Sequence, residues 1–173
     1  MDVKTAFLNG VIEEEVYLEH PDCFVIHGKE SHVCRLKNSL YGLKQAPRAW
    51  YARIDGYLVN LGFTKSDIDP NLYYKVVDGE SLNLVLYVDD LFLIGAKKLI
   101  AWCKRELTYE LEMKDLGLMH YFLGLEVWQR ADEIFLSQGK YTIDILRRFG
   151  MMDYKSMAAP MTMNLKLSVD VVD

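Results

Sequence analysis

An α+β fold, an antiparallel sheet with helices packed on one face, follows from three features of the chain. Leu72 to Val77 and Leu82 to Val88 are strand-like runs joined through Asp78-Gly79, a strong hairpin signal. Two other segments space their apolar residues helically: Ala46, Ala49, Trp50, Ile54, Tyr57, Leu58 and Leu61, then Ile100, Cys103, Leu107 and Leu111. Antiparallel strands interleaved with amphipathic helices pack as a sheet with one covered face, which leaves the other open to a substrate.

In chain order, Met1 to Ala6 reads as the end of a strand, because apolar residues begin with no turn or cap ahead of them. Glu15 to Glu19 alternates and predicts a half-exposed strand. A turn at Pro21 and short strands at Phe24 to Ile26 and His32 to Leu36 complete a small β excursion. Pro47 suits the first turn of the first helix and Gly62 its stop, about four turns later. After the Asp78-Gly79 hairpin, Asp89-Asp90 is expected to turn the chain into a third strand, Leu91 to Gly95. The second helix shows a polar face of Lys97, Lys98, Lys104, Arg105, Glu106 and Glu110. Beyond Gly117, Tyr121 to Trp128 and Ile134 to Ser137 predict a hairpin around Ala131-Asp132. Tyr141, Ile145, Leu146 and Phe149 predict a third helix stopped by Gly150, and the remainder reads as tail.

With 173 residues, of which 51% are hydrophobic, the chain can bury the core of one domain of ordinary size. Its 20 basic and 25 acidic residues give a net charge of -5, so any nucleic-acid contact must be a local patch. Cys23, Cys34 and Cys103 are odd in number and unpaired in spacing, which argues against a disulfide framework and for a reducing compartment. The first residues do not read as a signal peptide, and no apolar run reaches the ~18 residues of a membrane span, so no membrane partner is expected.

The chemistry concentrates in Leu82 to Gly95, where Asp89 and Asp90 interrupt an otherwise apolar run. Aspartate is a common turn residue, but a turn flanked on both sides by strand-like apolar sequence is poorly solvated, and like charges there call for a cation. Asp2 ends or interrupts a second apolar strand, and taken by itself it reads first as a solvated residue at a frayed terminus. One acid from one strand and two from a neighbouring turn suffice for two divalent ions ~3.5–4 Å apart, the arrangement of a nucleotidyl-transfer site. Residues 35 to 53 hold Arg35, Lys37, Lys44, Arg48 and Arg53 with no acid, interleaved with Tyr41, Trp50 and Tyr51. That mixture suits a groove tracking a nucleic-acid backbone, or simply a solvated helix face. His20, Cys23, His27, His32 and Cys34 crowd together, but they lack the closely paired ligands of zinc fingers and are read as structural. His120 is likewise read as a surface or hydrogen-bonded residue.

Four ordered blocks carry a resemblance. They are Met1 to Gly10 (Met-Asp-Val-Lys-Thr-Ala-Phe-Leu-Asn-Gly), Ser39 to Trp50 (Ser-Leu-Tyr-Gly-Leu-Lys-Gln-Ala-Pro-Arg-Ala-Trp), Leu86 to Asp90 (Leu-Tyr-Val-Asp-Asp), and Tyr121 to Val127 (Tyr-Phe-Leu-Gly-Leu-Glu-Val). Together they resemble the reverse transcriptase of copia-type long-terminal-repeat retrotransposons, an RNA-directed DNA polymerase. The resemblance implies the palm-like sheet of a polymerase right hand over residues 1–139 and the start of a thumb or connection over 140–173. It implies that Asp2, Asp89 and Asp90 are the catalytic, metal-binding acids, holding two Mg2+ ions with Mn2+ as a possible substitute. Phe7 falls at the steric gate that excludes a 2′-hydroxyl. Lys44, Gln45 and Arg48 fall in the motif that contacts incoming nucleotide and template, and Tyr87 beside the catalytic acids. Tyr121 to Val127 corresponds to the hairpin that positions the primer end.

The implied substrates are deoxynucleoside triphosphates and a primed RNA or DNA template, the implied partner the rest of a retrotransposon polyprotein, and the implied place the cytoplasm, in virus-like particles of complete elements. A fingers segment before the first motif and a ribonuclease H domain are expected outside the given residues, so the chain reads as a truncated fragment whose Met1 stands at an internal methionine of the family. The competing expectations are an inactive remnant or nucleic-acid-binding module that keeps the fold, and an unrelated magnesium site with a phosphorylatable aspartate in a parallel sheet. The Asp78-Gly79 hairpin speaks against the latter, because parallel strands need crossovers.

Overall fold

The computed structural model describes residues 1–21, 24–25, 27–28, 31–130 and 132–157. The chain divides into two compact units, Met1–Gly117 and Leu118–Asp173.

In the first unit, β1 (Asp2–Val3) leads through a turn at Thr5, φ 51°, into a 3-10 helix over Ala6–Asn9. The strand expected to run to Ala6 therefore stops at Val3. Strands β2 (Tyr17–Glu19) and β3 (Val33–Arg35) form a small antiparallel ribbon, shorter and more exposed than their alternation suggested. The strand expected at Phe24 to Ile26 is not formed: the Phe24 amide closes a turn onto Pro21 O at 2.8 Å, and Ile26 lies outside the described residues. Helix α1 (Ala46–Asn60) has Pro in its first turn, and Gly62 takes the positive φ, 80°, that lets the chain leave it. Then come β4 (Thr64–Lys65), β5 (Leu72–Val77), β6 (Glu80–Tyr87), β7 (Asp90–Gly95), helix α2 (Lys97–Glu110) and β8 (Met113–Lys114). The two-residue strands β4 and β8 carry too few residues to show a period.

The main sheet has the order β4-β5-β6-β7-β1-β8, and each of its ladders is antiparallel. Asp78 and Gly79, φ 53° and 79°, close the pair Val77–Glu80 as the expected two-residue turn. Along β6, Leu82, Leu84 and Leu86 alternate into the core, joined by Tyr73 opposite Leu84 and Leu91 opposite Leu86. Trp50, Ile54 and Leu58, one stripe of α1, and Cys103 and Leu107 of α2 complete the same buried cluster. Each fully buried Leu or Ile contributes about 1.5–3 kcal/mol relative to exposure. Because side chains alternate across a sheet, Val3 and Leu91 point to the helices, so Asp2 and Asp90 stand on the opposite, open face.

Gly10 ends the 3-10 segment where it meets α1. A Cβ there would lie 2.7 Å from Trp50 N and 2.8 Å from the Ala49 carbonyl carbon, so only glycine permits this approach.

In the second unit, β9 (Tyr121–Phe122), β10 (Leu125–Gln129) and β11 (Ile134–Ser137) form an antiparallel meander. The single strand expected from Tyr121 to Trp128 is broken by Leu123 and Gly124, φ 47° and 82°, which turn the chain between the paired Phe122 and Leu125. The second turn lies between Arg130 and Glu133, as expected, although Ala131 itself is outside the described residues. Helix α3 (Gly139–Arg148) starts where Glu126 accepts the Lys140 amide at 3.0 Å, a carboxylate at a helix N-terminus, and Gly150 follows it with φ 65°.

Candidate active site at the hairpin turn

Tyr87 of β6 pairs with Asp90 of β7, so the two loop residues are Val88 and Asp89. The turn thus lies one residue earlier than expected, and Asp90 opens the strand instead of completing the turn. Val88 has φ 54°, a conformation that costs a β-branched residue of order 1–3 kcal/mol. The Trp50 indole donates from Nε1 to the Val88 carbonyl oxygen at 2.6 Å.

Strand β1 lies along the other side of the acids. Asp2 is the register partner of Asp90, the Val3 amide donates to Asp89 O at 2.8 Å, and the Leu91 amide donates to Met1 O at 2.8 Å. Burial pushes the Asp90 carboxyl above the ordinary range, and the charges of Asp89 and Asp2 push it further. The three acids predicted from sequence are therefore gathered at one end of the sheet and repel one another electrostatically. Among the described residues, no three His, Cys, Asp or Glu side chains converge closely enough to hold a metal ion as they stand. The donor set nevertheless suits one: carboxylate oxygens are what hard divalent cations take, and a cation among them relieves the repulsion felt by Asp90.

Phe7, half-buried on the 3-10 segment, lies with its ring 4.7 Å from that of Tyr41. Its backbone is fixed by Ser39, whose buried hydroxyl donates to Phe7 O, and by Asn38 Nδ2 on Leu8 O at 2.8 Å. Phe7 also lines a recess of about 250 Å³ with Pro47, Trp50, Tyr51, Asn71, Leu86 and Val88. One flank of that recess is the turn itself.

Lys44 is exposed in the turn before α1, Gln45 is half-buried at the residue preceding the helix, and Arg48 is exposed in its first turn. Tyr87 is 46% exposed, on the open face shared by Asp90. The acid-free stretch does not make an acid-free surface. Arg48 pairs with Glu14 at 2.5 Å, Arg35 with Glu15 at 2.9 Å, and Arg53 with Glu110. Lys37 and Lys44 meet no acid among the described residues. In the His/Cys segment, Cys34 Sγ lies 3.3 Å from His20 Nδ1, no third ligand converges on them among the described residues, and Cys23 lies outside those residues.

Two features escaped the sequence reading. Trp50 was legible as a core residue on a helical stripe, while the destination of its N–H was not. A polar cluster that shares Tyr51 with the recess was also hidden: Tyr73 donates to Asp55 Oδ1 at 2.6 Å, Lys65 Nζ reaches the same carboxylate at 2.9 Å, and that ammonium lies 4.7 Å from the Tyr51 ring centre. No local pattern links positions 51, 55, 65 and 73.

Residues 1–163 match the family described as reverse transcriptase (RNA-dependent DNA polymerase). The chain is 42% identical over 172 residues to the retrovirus-related Pol polyprotein from transposon TNT 1-94 of Nicotiana tabacum, covering 97% of this chain and 13% of that relative. Identity to the Pol polyprotein from transposon RE2 of Arabidopsis thaliana is 37% over 170 residues, 98% of this chain and 12% of the relative. That from transposon RE1 of the same plant is 36% identical, again over 98% of this chain and 12% of the relative. No solved structure matches. The chain spans about an eighth of the length of these curated relatives, and with four ordered motifs, a family match over nearly its whole length and such relatives, it belongs to the copia-type retrotransposon branch of the reverse transcriptase family.

Proposed function

We propose that this chain is the palm-like part of an RNA-directed DNA polymerase that transfers deoxynucleotides to a primer 3′-hydroxyl. The observation that carries the reading is the register of Asp2 against Asp90, with Asp89 in the adjoining turn, on the open face of an antiparallel sheet. Asp2, Asp89 and Asp90 would hold two Mg2+ ions, with Mn2+ as a possible substitute. Such ions, when bound, supply charge neutralisation at the transferring phosphate and a lowered pKa for the attacking hydroxyl.

The chain's own residues orient the substrates. The Phe7 ring under the sugar excludes a 2′-hydroxyl. Lys44, Gln45 and Arg48 contact the incoming triphosphate and the template, and Tyr87 flanks the acids on the nucleic-acid side. Arg48 is available for this because its pair with Glu14 is exposed on both sides, and such a surface pair is worth no more than ~1 kcal/mol against a phosphate. Tyr121 to Val127 positions the primer end, and residues 140–173 begin a thumb or connection within a longer polyprotein.

A second reading, a non-catalytic remnant that retains the fold and weak nucleic-acid affinity, is favoured by the ion-paired state of Arg35, Arg48 and Arg53. Extension of a primed template with Mg2+ separates the two. The polymerase reading expects extension by the parent and none by Asp89→Ala; an Asp89→Ala form that extends as well as the parent overturns it. Filter binding across salt concentrations measures the affinity that the second reading requires.

A further inference from the structure

We infer that Trp50 is a positioning residue of this site: its indole N–H holds the Val88 carbonyl and thereby the strained turn that presents Asp89. The inference rests on the reading of Asp89 as a metal-binding acid, but its structural premise stands without it.

Three observations converge on this one side chain. Trp50 is 2% exposed and its N–H reaches Val88 O at 2.6 Å, whereas the Val88 side chain is half exposed and contributes little burial of its own. Val88 has φ 54°, which a β-branched residue keeps only when its surroundings impose it. The next carbonyl, Asp89 O, accepts from the Val3 amide at 2.8 Å. The two carbonyls of the turn are thus held separately, that of the Val88–Asp89 peptide from α1 and that of the Asp89–Asp90 peptide from β1, so Asp89 is flanked by two anchored peptides. Without the indole donor, the Val88–Asp89 peptide loses its hold from α1 and is free to rotate toward a relaxed turn within the Tyr87–Asp90 pair, and that rotation re-aims Asp89. The hold from α1 is itself braced, since the backbone at Trp50 is the surface against which Gly10 closes the segment carrying Phe7. A buried indole needs some acceptor, so the bond alone would be unremarkable. What makes it a positioning device is that its acceptor is the strained residue next to Asp89.

The test uses Trp50→Phe, which keeps a buried ring and removes the donor, and Trp50 replaced by benzothienylalanine, which keeps the full shape should Phe fail to fold. Val88→Gly removes the cost of positive φ and is combined with each. The first readout, independent of metal and activity, is the set of backbone amide resonances at residues 88 to 90. Either donor-less form is expected to show a second turn conformer there, and Val88→Gly to abolish it. The second is Mn2+ affinity, expected to fall about tenfold, the worth of roughly one hydrogen bond, and to recover in the double variant. In primer extension, kcat is expected to fall by a similar factor with little change in KM for the nucleotide. Unchanged amide resonances in a folded donor-less form overturn the inference, as does a loss that Val88→Gly does not restore. A parent that neither binds Mn2+ nor extends a primer overturns the functional reading instead, and the amide resonances still decide the role of Trp50.

Discussion

Asp2 faces Asp90 directly across the β1–β7 ladder, two carboxylates at one register position of the open sheet face. Like charges so placed are destabilising, and burial together with Asp89 and Asp2 holds the Asp90 carboxyl above its ordinary range. Folding therefore favours the protonated form. The favourable contribution is complete at low pH and is lost as the pH rises through the ordinary carboxylate range and on through the raised value of Asp90. Asp90→Asn is accordingly expected to melt at a higher temperature than the parent at pH 7, with the gain disappearing toward pH ~3. Saturating Mg2+ should raise the melting temperature of the parent more than that of the variant, because only the parent has the full donor set. Thermal unfolding at both pH values, with and without the ion, checks this; a variant that melts below the parent at pH 7 contradicts it.

Phe7 reaches the recess beside the turn from a segment tied down at Ser39, Asn38 and Gly10. A ring so fixed can act sterically. Phe7→Val is expected to extend with deoxynucleotides at a reduced rate and to accept ribonucleotides far better, so that the deoxy-to-ribo ratio of kcat/KM falls by at least about tenfold, a modest value for relieving a steric exclusion. An unchanged ratio in an extending variant removes Phe7 from the sugar-selecting role.

The long elements were legible because period and turn chemistry agreed: α1 between Pro47 and Gly62, and the β5–β6 hairpin at Asp78-Gly79. The misplaced features share a physical cause. At Val88 and again at Leu123, an apolar residue adopts positive φ where composition signals a continuing strand, so one turn was displaced onto Asp89-Asp90 and the other went unseen. Only tertiary contact or the neighbouring residue makes such a backbone tolerable, as the Trp50 bond does for Val88. The acids at the site were readable as types at their positions. The ion pairing of the basic stretch was not, because Glu14, Glu15 and Glu110 come from other parts of the chain.

Gly10→Ala tests how tightly the Phe7 segment must approach α1. The added methyl would meet backbone atoms, Trp50 N at 2.7 Å and the Ala49 carbonyl carbon at 2.8 Å, which cannot move aside as a flexible side chain can. A loss of about 1–3 kcal/mol is expected from such overpacking. Denaturant unfolding should show a lower midpoint with an unchanged slope. A midpoint equal to that of the parent means that the segment does not close on α1.

Tyr73 and Asp55 form a part-buried polar contact next to Tyr51, and removing the hydroxyl isolates its effect. Burial alone would raise the Asp55 carboxyl, but hydrogen bonds from Tyr73 and Lys65 outweigh it and hold that carboxyl below its ordinary range. The stabilisation is present above the unfolded carboxylate value and is lost as the pH falls through the depressed folded one. Tyr73→Phe leaves a wholly buried ring in place and withdraws one donor from a carboxylate that keeps Lys65. The expected cost is about 1.5–3 kcal/mol at pH 7, the range for a hydrogen bond to a charged group. That corresponds to roughly 2–4 °C in melting temperature for each kcal/mol in a chain of this size. The deficit should shrink in acid, where protonated Asp55 no longer gains from the donor. A deficit that stays constant from pH 7 to pH ~3 would mean that Tyr73 stabilises by packing alone.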